Sequence, residues 1–457
     1  MNSQKIKEGG KLTTLGIQHV FAMFGSTVLV PLLTGLPVSV SLFCAGIGTI
    51  IFFIVTKGKV PVFLGSSFAF IAAIVLAAAS SANLSGNFTE EYAAQGYNAI
   101  TMMFSDYGRA LISNPDYLAA LPYATGGIVI AGLVYLILSA IVMIFGADRV
   151  RSFFPPIVTG PMVVIIGLML APTAIGYFST PIDWLIGAVV IATVIVVSLL
   201  GKGFVKMIPL IFGIAAGYIL CMILTASGID VGLSYSSITS ASLITVPGFF
   251  LPKFSLSAIL IVAPIAIVTF VEHIGDITAN GAVVGKDFFK DPGLHRTLLG
   301  DGLASIVAGF LGGPANTTYS ENTGVLAATR NYNPVTLLIA AIFAIIISFV
   351  GYVSGFINSI PSAVIGGMCI ILFGMIASVG LRNLVENKVD FKNQRNVFIA
   401  AIMLVVAIGG MTIPINADAG MFLQGYALAA VIGIVLNKIL PERLGKVPED
   451  KKEEKSE

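Results

Sequence analysis

Long apolar runs separated by short polar breaks fill most of this 457-residue chain. Runs long enough to cross ~30 Å of hydrocarbon fall at about 14–33, 39–55, 62–79, 126–145, 156–171, 184–200 and 207–224. A second set falls at about 256–275, 298–311, 320–328, 334–356, 362–378, 397–411 and 422–440. The pattern predicts an all-α polytopic membrane protein with fourteen transmembrane segments. Composition agrees: 56% of residues are apolar, only 11% are charged and mean hydropathy is +0.97. Soluble domains carry roughly 25% charged residues, so this surface is not built for water. Lys5, Lys7 and Lys11 precede the first run as they would in a secretory signal. That run contains Gln18 and His19 and leads directly into further spans, so it is expected to be the first membrane helix.

Charge sets the orientation. With the N-terminus in the cytoplasm, alternation through fourteen spans places all 25 lysines and arginines inside except Arg109 and Lys253. The positive-inside rule therefore favours an even count, with both termini cytoplasmic in the plasma membrane. An even count of fourteen divides into seven and seven, and an odd number per half inverts the second half relative to the first. The expected division is a first repeat at 1–245, an inverted repeat at 246–440 and a charged tail at 441–457. The long outside loop at about 80–123 carries Glu90 and Glu91, and its Asn83 and Asn87 match a short glycosylation pattern that recurs by chance. A net charge of +2 gives no reason to expect nucleic acid. Cys44, Cys221 and Cys369 all lie in apolar runs, far apart, with no disulfide or metal-ligand spacing.

Two of the runs begin badly for helices. Gly65-Ser66-Ser67 opens one, and Gly312-Gly313-Pro314-Ala315-Asn316-Thr317-Thr318 opens the other; these residue types favour extended backbone. They occupy matching places: Pro61 precedes Phe68 by seven residues, as Pro314 precedes Glu321, and Gln18-His19 is echoed by Glu272-His273. Short extended stretches followed by half-helices are expected in spans 3 and 10, with free amides near Phe68 and Glu321. Interrupted segments in corresponding positions of two halves point to a transporter's midplane site.

Carboxylates at membrane depth are costly and mark function. Glu321 and Glu272 both lie between apolar stretches. Glu272 and Asp276, four apart, share a helix face, where two like charges cannot both ionise comfortably, so one is expected to hold a proton. His273 projects about 100° away and is expected to make a structural hydrogen bond, as is His19. Asp301, after Gly300, is placed at a helix start, where an acid is welcome. No nucleophile–base pair, metal cluster or nucleotide-binding loop stands out, so the expectation is a gradient-driven carrier rather than an enzyme or a pump, with no cofactor.

The run Glu321-Asn322-Thr323-Gly324-Val325-Leu326-Ala327-Ala328-Thr329-Arg330 resembles the signature of the nucleobase–ascorbate transporter family. Gln18 to Gly25, Leu64 to Phe70, Val271 to Gly275, Lys286 to Arg296 and Asn316 to Tyr319 are similar to the uracil branch of that family. The resemblance implies two inverted seven-span repeats, a core and a gate domain, and a homodimer. It implies that Glu272 and Glu321 hold the heterocycle, with contacts from Phe68, Ser320, Ser26 and Tyr319. It places Asn322, Thr323, Gly324, His273 and Asp301 in the polar network around the site, and makes Glu272 with Asp276 the expected route for a co-transported proton. Ring N–H groups of uracil suit carboxylates, and its carbonyls suit half-helix amides.

Two positions depart from the uracil pattern: Asp276 stands where His is usual, and Ser320 where Gly is usual. Asp276 and Asp301 are similar to the purine branch, whereas Glu321 in place of Gln favours uracil. A proton-coupled purine carrier therefore stays open as the alternative, as does the coupling ion. An anion exchanger of the same architecture is disfavoured because three acids would repel its substrate.

Overall fold

The computed structural model describes residues 2–82, 84, 112–416 and 421–440. Most of the loop expected at 80–123, including Asn83, Asn87, Glu90, Glu91 and Arg109, lies outside these residues, as does the 441–457 tail. The main helices of the first half are α1 (Asn2–Thr34), α2 (Val38–Val55), α3 (Ile71–Ser81), α4 (Pro115–Phe145), α5 (Pro156–Met169), α6 (Pro181–Leu200) and α7 (Pro209–Ala226). Those of the second half are α8 (Ile265–Val284), α9 (Leu294–Leu311), α10 (Ser320–Thr329), α11 (Pro334–Ser348), α12 (Ser362–Glu386), α13 (Gln394–Ile408) and α14 (Gly425–Ile439).

Among the described residues, eight helices are long and apolar enough to cross a bilayer, and four further apolar helices are shorter. The protein is a multi-pass membrane protein. Its outer face fits that solvent: Met143, Ile144 and Leu199 are 65%, 71% and 72% exposed, which water would penalise and lipid does not.

Helix ends follow local chemistry. Asn114 accepts the Asp116 N–H at 2.8 Å and Pro115 takes the first helical position, so α4 starts well before the apolar run suggested. Thr180 and Asp183 cap α6 reciprocally. The eighth apolar run is two helices rather than one. Leu256–Val262 is separated from α8 by Ala263 and Pro264, whose missing N–H breaks the ladder.

The helices pack as two groups. The first comprises α1–α4 with α8–α11; α9 lies on α4 and α2, and α11 on α2 and α1. The second comprises α5–α7 with α12–α14, where α12 lies on α5 and α6. At the centre of the first group, β1 (Leu64–Ser66) pairs antiparallel with β2 (Asn316–Thr318) in the register Leu64↔Thr318, Gly65↔Thr317, Ser66↔Asn316. Backbone bonds from Ser67 N–H to Ala315 O (2.9 Å) and from Tyr319 N–H to Phe63 O (3.0 Å) extend the ribbon at each end. All six strand residues are buried. Surrounding helices close the remaining valences. Thr49 Oγ1 accepts the Leu64 N–H at 2.9 Å, Ser305 Oγ accepts the Asn316 N–H at 3.1 Å, and the Asn316 amide donates to Cys44 O at 3.0 Å.

Several expectations are corrected. The run 334–356 is not one span: α11 ends at Ser348, Val350 bridges to Ile244, and Gly351–Asn358 forms a separate helix. Backbone bonds from Thr245 N–H to Phe349 O and from Gly351 N–H to Leu243 O hold that break open. The chain is not purely helical near its end either. Past α13, Gly410 takes φ +70° and Pro414 forbids a helical ladder, and β3 (Thr412–Asn416) pairs antiparallel with β4 (Met421–Gln424). Finally, α9 begins at Leu294, so Asp301 lies about two turns inside it and not at its start.

Gly65 faces the ring of Tyr319 so closely that an added Cβ would overlap it. Gly65→Ala should therefore destabilise the fold by about 1–3 kcal/mol. Thermal unfolding in detergent checks this, and Tyr319→Leu in the same chain should recover part of the loss.

Candidate functional site

Four elements converge on the open ends of the ribbon. After β1, a 3-10 turn at Phe68–Phe70 leads into α3; after β2, Tyr319 leads into α10. Neither start carries a side-chain cap on its free amides. Two half-helix N-termini, with their partial positive charge, therefore flank the ribbon. The helices α1 and α8 pass alongside.

Glu321 sits in the first turn of α10, half-buried, and its Oε1 accepts the Ser26 hydroxyl of α1 at 2.7 Å. The structure thus brings together Ser26 and Glu321, which lie 295 positions apart. Glu272, on α8, is half-buried, and its Oε2 is shielded from solvent with no hydrogen-bond partner among the described residues. A shielded carboxylate oxygen without a donor is costly, so this atom is suited to a proton or to a ligand N–H.

Asp276 is differently occupied. Ser320 Oγ donates to its Oδ1 at 2.6 Å and Thr318 Oγ1 to its Oδ2 at 2.8 Å. The two departures from the uracil pattern, Asp276 and Ser320, are thus bonded to each other. Thr318 ends β2 and Ser320 opens α10, with extended Tyr319 between them, a spacing of two that brings both hydroxyls to Asp276. Thr318 was absent from the expected site; strand alternation was the signal that could have found it.

The other expected residues form the scaffold. Tyr319, 3% exposed, donates its hydroxyl to Ser66 O at 2.9 Å and accepts from Thr27 Oγ1 at 3.4 Å. Its ring braces the ribbon, and its hydroxyl is engaged there by Ser66 and Thr27. Phe68 is buried and meets Phe373 of α12 edge-on, with centroids 6.2 Å apart. It thereby joins the two helix groups beside the site. Asn322 donates to His19 Nδ1 at 3.0 Å and to His19 O at 3.2 Å, tying α10 to α1. Thr323 Oγ1 accepts from Asn280 at 3.2 Å, and Asn280 also donates to Pro61 O at 3.0 Å. Gly324 is exposed on α10, where an added Cβ would meet open space.

His273 and Asp301 make a wholly buried pair, Nδ1 to Oδ2 at 2.8 Å, while His273 Nε2 meets Thr297 Oγ1 at 2.9 Å. The Thr297 hydroxyl also donates to Leu294 O at 3.0 Å, so it accepts from Nε2. This arrangement ties α8 to α9 at the residue next to Glu272. Asn280, Asn316 and Thr297 were not anticipated; each is a polar side chain inside an apolar helix or strand, which is the available signal. No cluster of three or more metal-ligating side chains occurs among the described residues.

Two broken helices meeting at a buried ribbon, with Glu321 at the start of one and Glu272 and Asp276 on the helix alongside, are the architecture of a membrane solute carrier. The sequence profile described as "Permease family" matches residues 10–416. The chain belongs to that family, whose members are transporters rather than enzymes. It is 39% identical over 453 residues to a probable uracil permease of Haemophilus influenzae, covering 98% of this chain and 97% of that protein. It is 37% identical to the uracil permease of Bacillus subtilis, covering 94% and 92%. Among solved structures, the transmembrane domain of a cyanobacterial bicarbonate transporter, BicA, superposes with a TM-score of 0.60 at 12% identity, covering 94% of this chain and 97% of that one. At that identity the likeness concerns the fold alone.

If the Asp276–Ser320 bond is a unit, Asp276→Asn and Ser320→Ala should be non-additive. A double-mutant cycle read by thermal unfolding should give a coupling of about 1 kcal/mol; strict additivity would show the pair to be independent.

Proposed function

We propose that this chain carries uracil across the plasma membrane together with a proton, by alternating access. The observation that carries the reading is Glu321, held by Ser26 at the amide-rich start of a half-helix, across from the unpartnered Glu272 carboxylate oxygen. Acceptors from two acids and donors from two half-helix starts complement a ring that offers both N–H groups and carbonyls. Relatives named uracil permeases over nearly their whole length support the same substrate. In this reading Glu321 selects the ligand and Glu272 carries the proton. Asp276, engaged by two hydroxyls, sets the position of Ser320 and exchanges a proton with the site only if those bonds rearrange. The bond between Asp276 and Ser320 also weakens the purine alternative, because it keeps Asp276 off the ligand.

The fourteen helices α1–α14 are proposed as fourteen spans in two inverted repeats, 1–245 and 246–440, with both ends cytoplasmic. Helix packing supports this. Exchanging each helix for its counterpart seven later or earlier maps α9 on α4 to α2 on α11. The same exchange maps α6 on α7 to α13 on α14, and α6 on α12 to α13 on α5. The group holding the ribbon serves as the core and the other as the gate, moving against each other around the site. A homodimer is the proposed assembly.

Glu321→Gln should weaken uracil binding by about ten- to a hundredfold, the range expected for a lost charge-assisted hydrogen bond, while leaving the unfolding temperature near the original. Isothermal titration of the purified protein against uracil, xanthine and bicarbonate checks both affinity and class. In proteoliposomes, Glu272→Gln should abolish uphill accumulation of labelled uracil driven by a pH gradient. Accumulation at the original level, or accumulation driven only by sodium, would remove the proton from the mechanism.

A further inference from the structure

A cavity of about 490 Å³, none of whose lining residues is an acid, opens between α4, the connector after it, α8 and α14. Its size falls within the ~300–1,000 Å³ of small-molecule sites, but its chemistry is unlike theirs. Leu138, Ile141, Ile434 and Phe270 line it, and among the described residues Arg149 is the one charged group that does so. A second cation stands beside it. Lys438 Nζ lies 3.8 Å from the centroid of Phe153, which also lines the cavity, and reaches Ser152 Oγ at 3.4 Å. Ser152 Oγ in turn donates to Arg149 O at 2.7 Å, so both basic residues bracket one short stretch of chain. Among the described residues neither is held in an ion pair. An apolar trough ending at two unneutralised cations calls for an amphipathic anion.

We propose that the groove is a specific site for an anionic phospholipid, its acyl chain along Leu138 and Ile141 and its phosphate on Arg149 and Lys438. The site is placed to matter. Phe270 belongs to α8, two residues before Glu272, and meets Phe154 edge-on at 4.9 Å and 78°. Its walls come from both helix groups, α4 from one and α14 from the other. An occupied groove therefore presses on the back of the acid-bearing helix where the groups meet. The inference is independent of the transported solute.

The test uses the purified full chain in detergent, by native mass spectrometry and thermal unfolding, with dioleoylphosphatidylglycerol and dioleoylphosphatidylcholine as probes. The native chain should retain phosphatidylglycerol preferentially and unfold at a higher temperature with it than with phosphatidylcholine. Arg149→Gln with Lys438→Gln should weaken phosphatidylglycerol binding at least about tenfold and leave phosphatidylcholine unaffected. Ile141→Trp, which fills the trough but keeps both cations, should lose the retained lipid too. Arg149→Lys should keep it, separating charge loss from misfolding. Equal retention of the two lipids by the native chain, or undiminished phosphatidylglycerol binding by the double variant, would overturn the proposal. So would Ile141→Trp if it changed the oligomer mass without loss of lipid, since a second copy of the chain would then cover the groove.

Discussion

Backbone N–H and C=O groups that leave a helix inside a membrane must find partners, because no water is present to take them. In this protein two such stretches find each other. Three residues of β1 and three of β2 exchange ladder bonds, and polar side chains from α2 and α9 take up what the ladder leaves. Everything at the site follows from that pairing. It makes α3 and α10 start beside the ribbon with no side-chain cap, and places Glu321 on one of those starts beside α1. It also demands small residues around it: a Cβ at Gly65 would overlap Tyr319, and one at Gly48 would overlap the Asn316 amide.

The acids are divided by their hydrogen-bond environment more than by their positions. Glu321 has a hydroxyl partner and Asp276 has two; Glu272 and Asp301 each keep one oxygen without a partner among the described residues, and the other oxygen of Asp301 holds His273. What separates the last two is access: Asp301 is wholly buried and anchors His273, whereas Glu272 is half-buried and its free acceptor can meet what arrives. The same reasoning separates Tyr319 from Ser26. Both are polar and near the acids, yet the Tyr319 hydroxyl is spent on Ser66 O, whereas the Ser26 hydroxyl is spent on the candidate ligand-binding group itself.

Much of this was legible without coordinates. The placement of the apolar runs, the two poor helix starts and the two isolated acids all follow from composition and local propensity, which act over a few residues. Boundaries were less legible where a distant segment intervenes. The apolar run 334–356 carries no sign that Val350 will pair with Ile244, and the run 256–275 looks continuous although Pro264 divides it. Asp301 was misplaced at a helix start because the polar residues before it, His295 and Arg296, belong to the first turn of α9 and not to the connector.

The sequence by itself determined the solvent of this protein, the two places where its helices fail and the residue types available to a ligand, since hydropathy and helix propensity are properties of short stretches of chain. Only the tertiary structure decided which polar group is satisfied by which. Asp276 and Ser320 are each unusual alone, and their bond, across 44 positions, exists because α8 runs beside the start of α10. Hydrogen-bond partners inside a membrane are chosen by proximity in space, and proximity is set by the packing of whole helices, which no local pattern encodes.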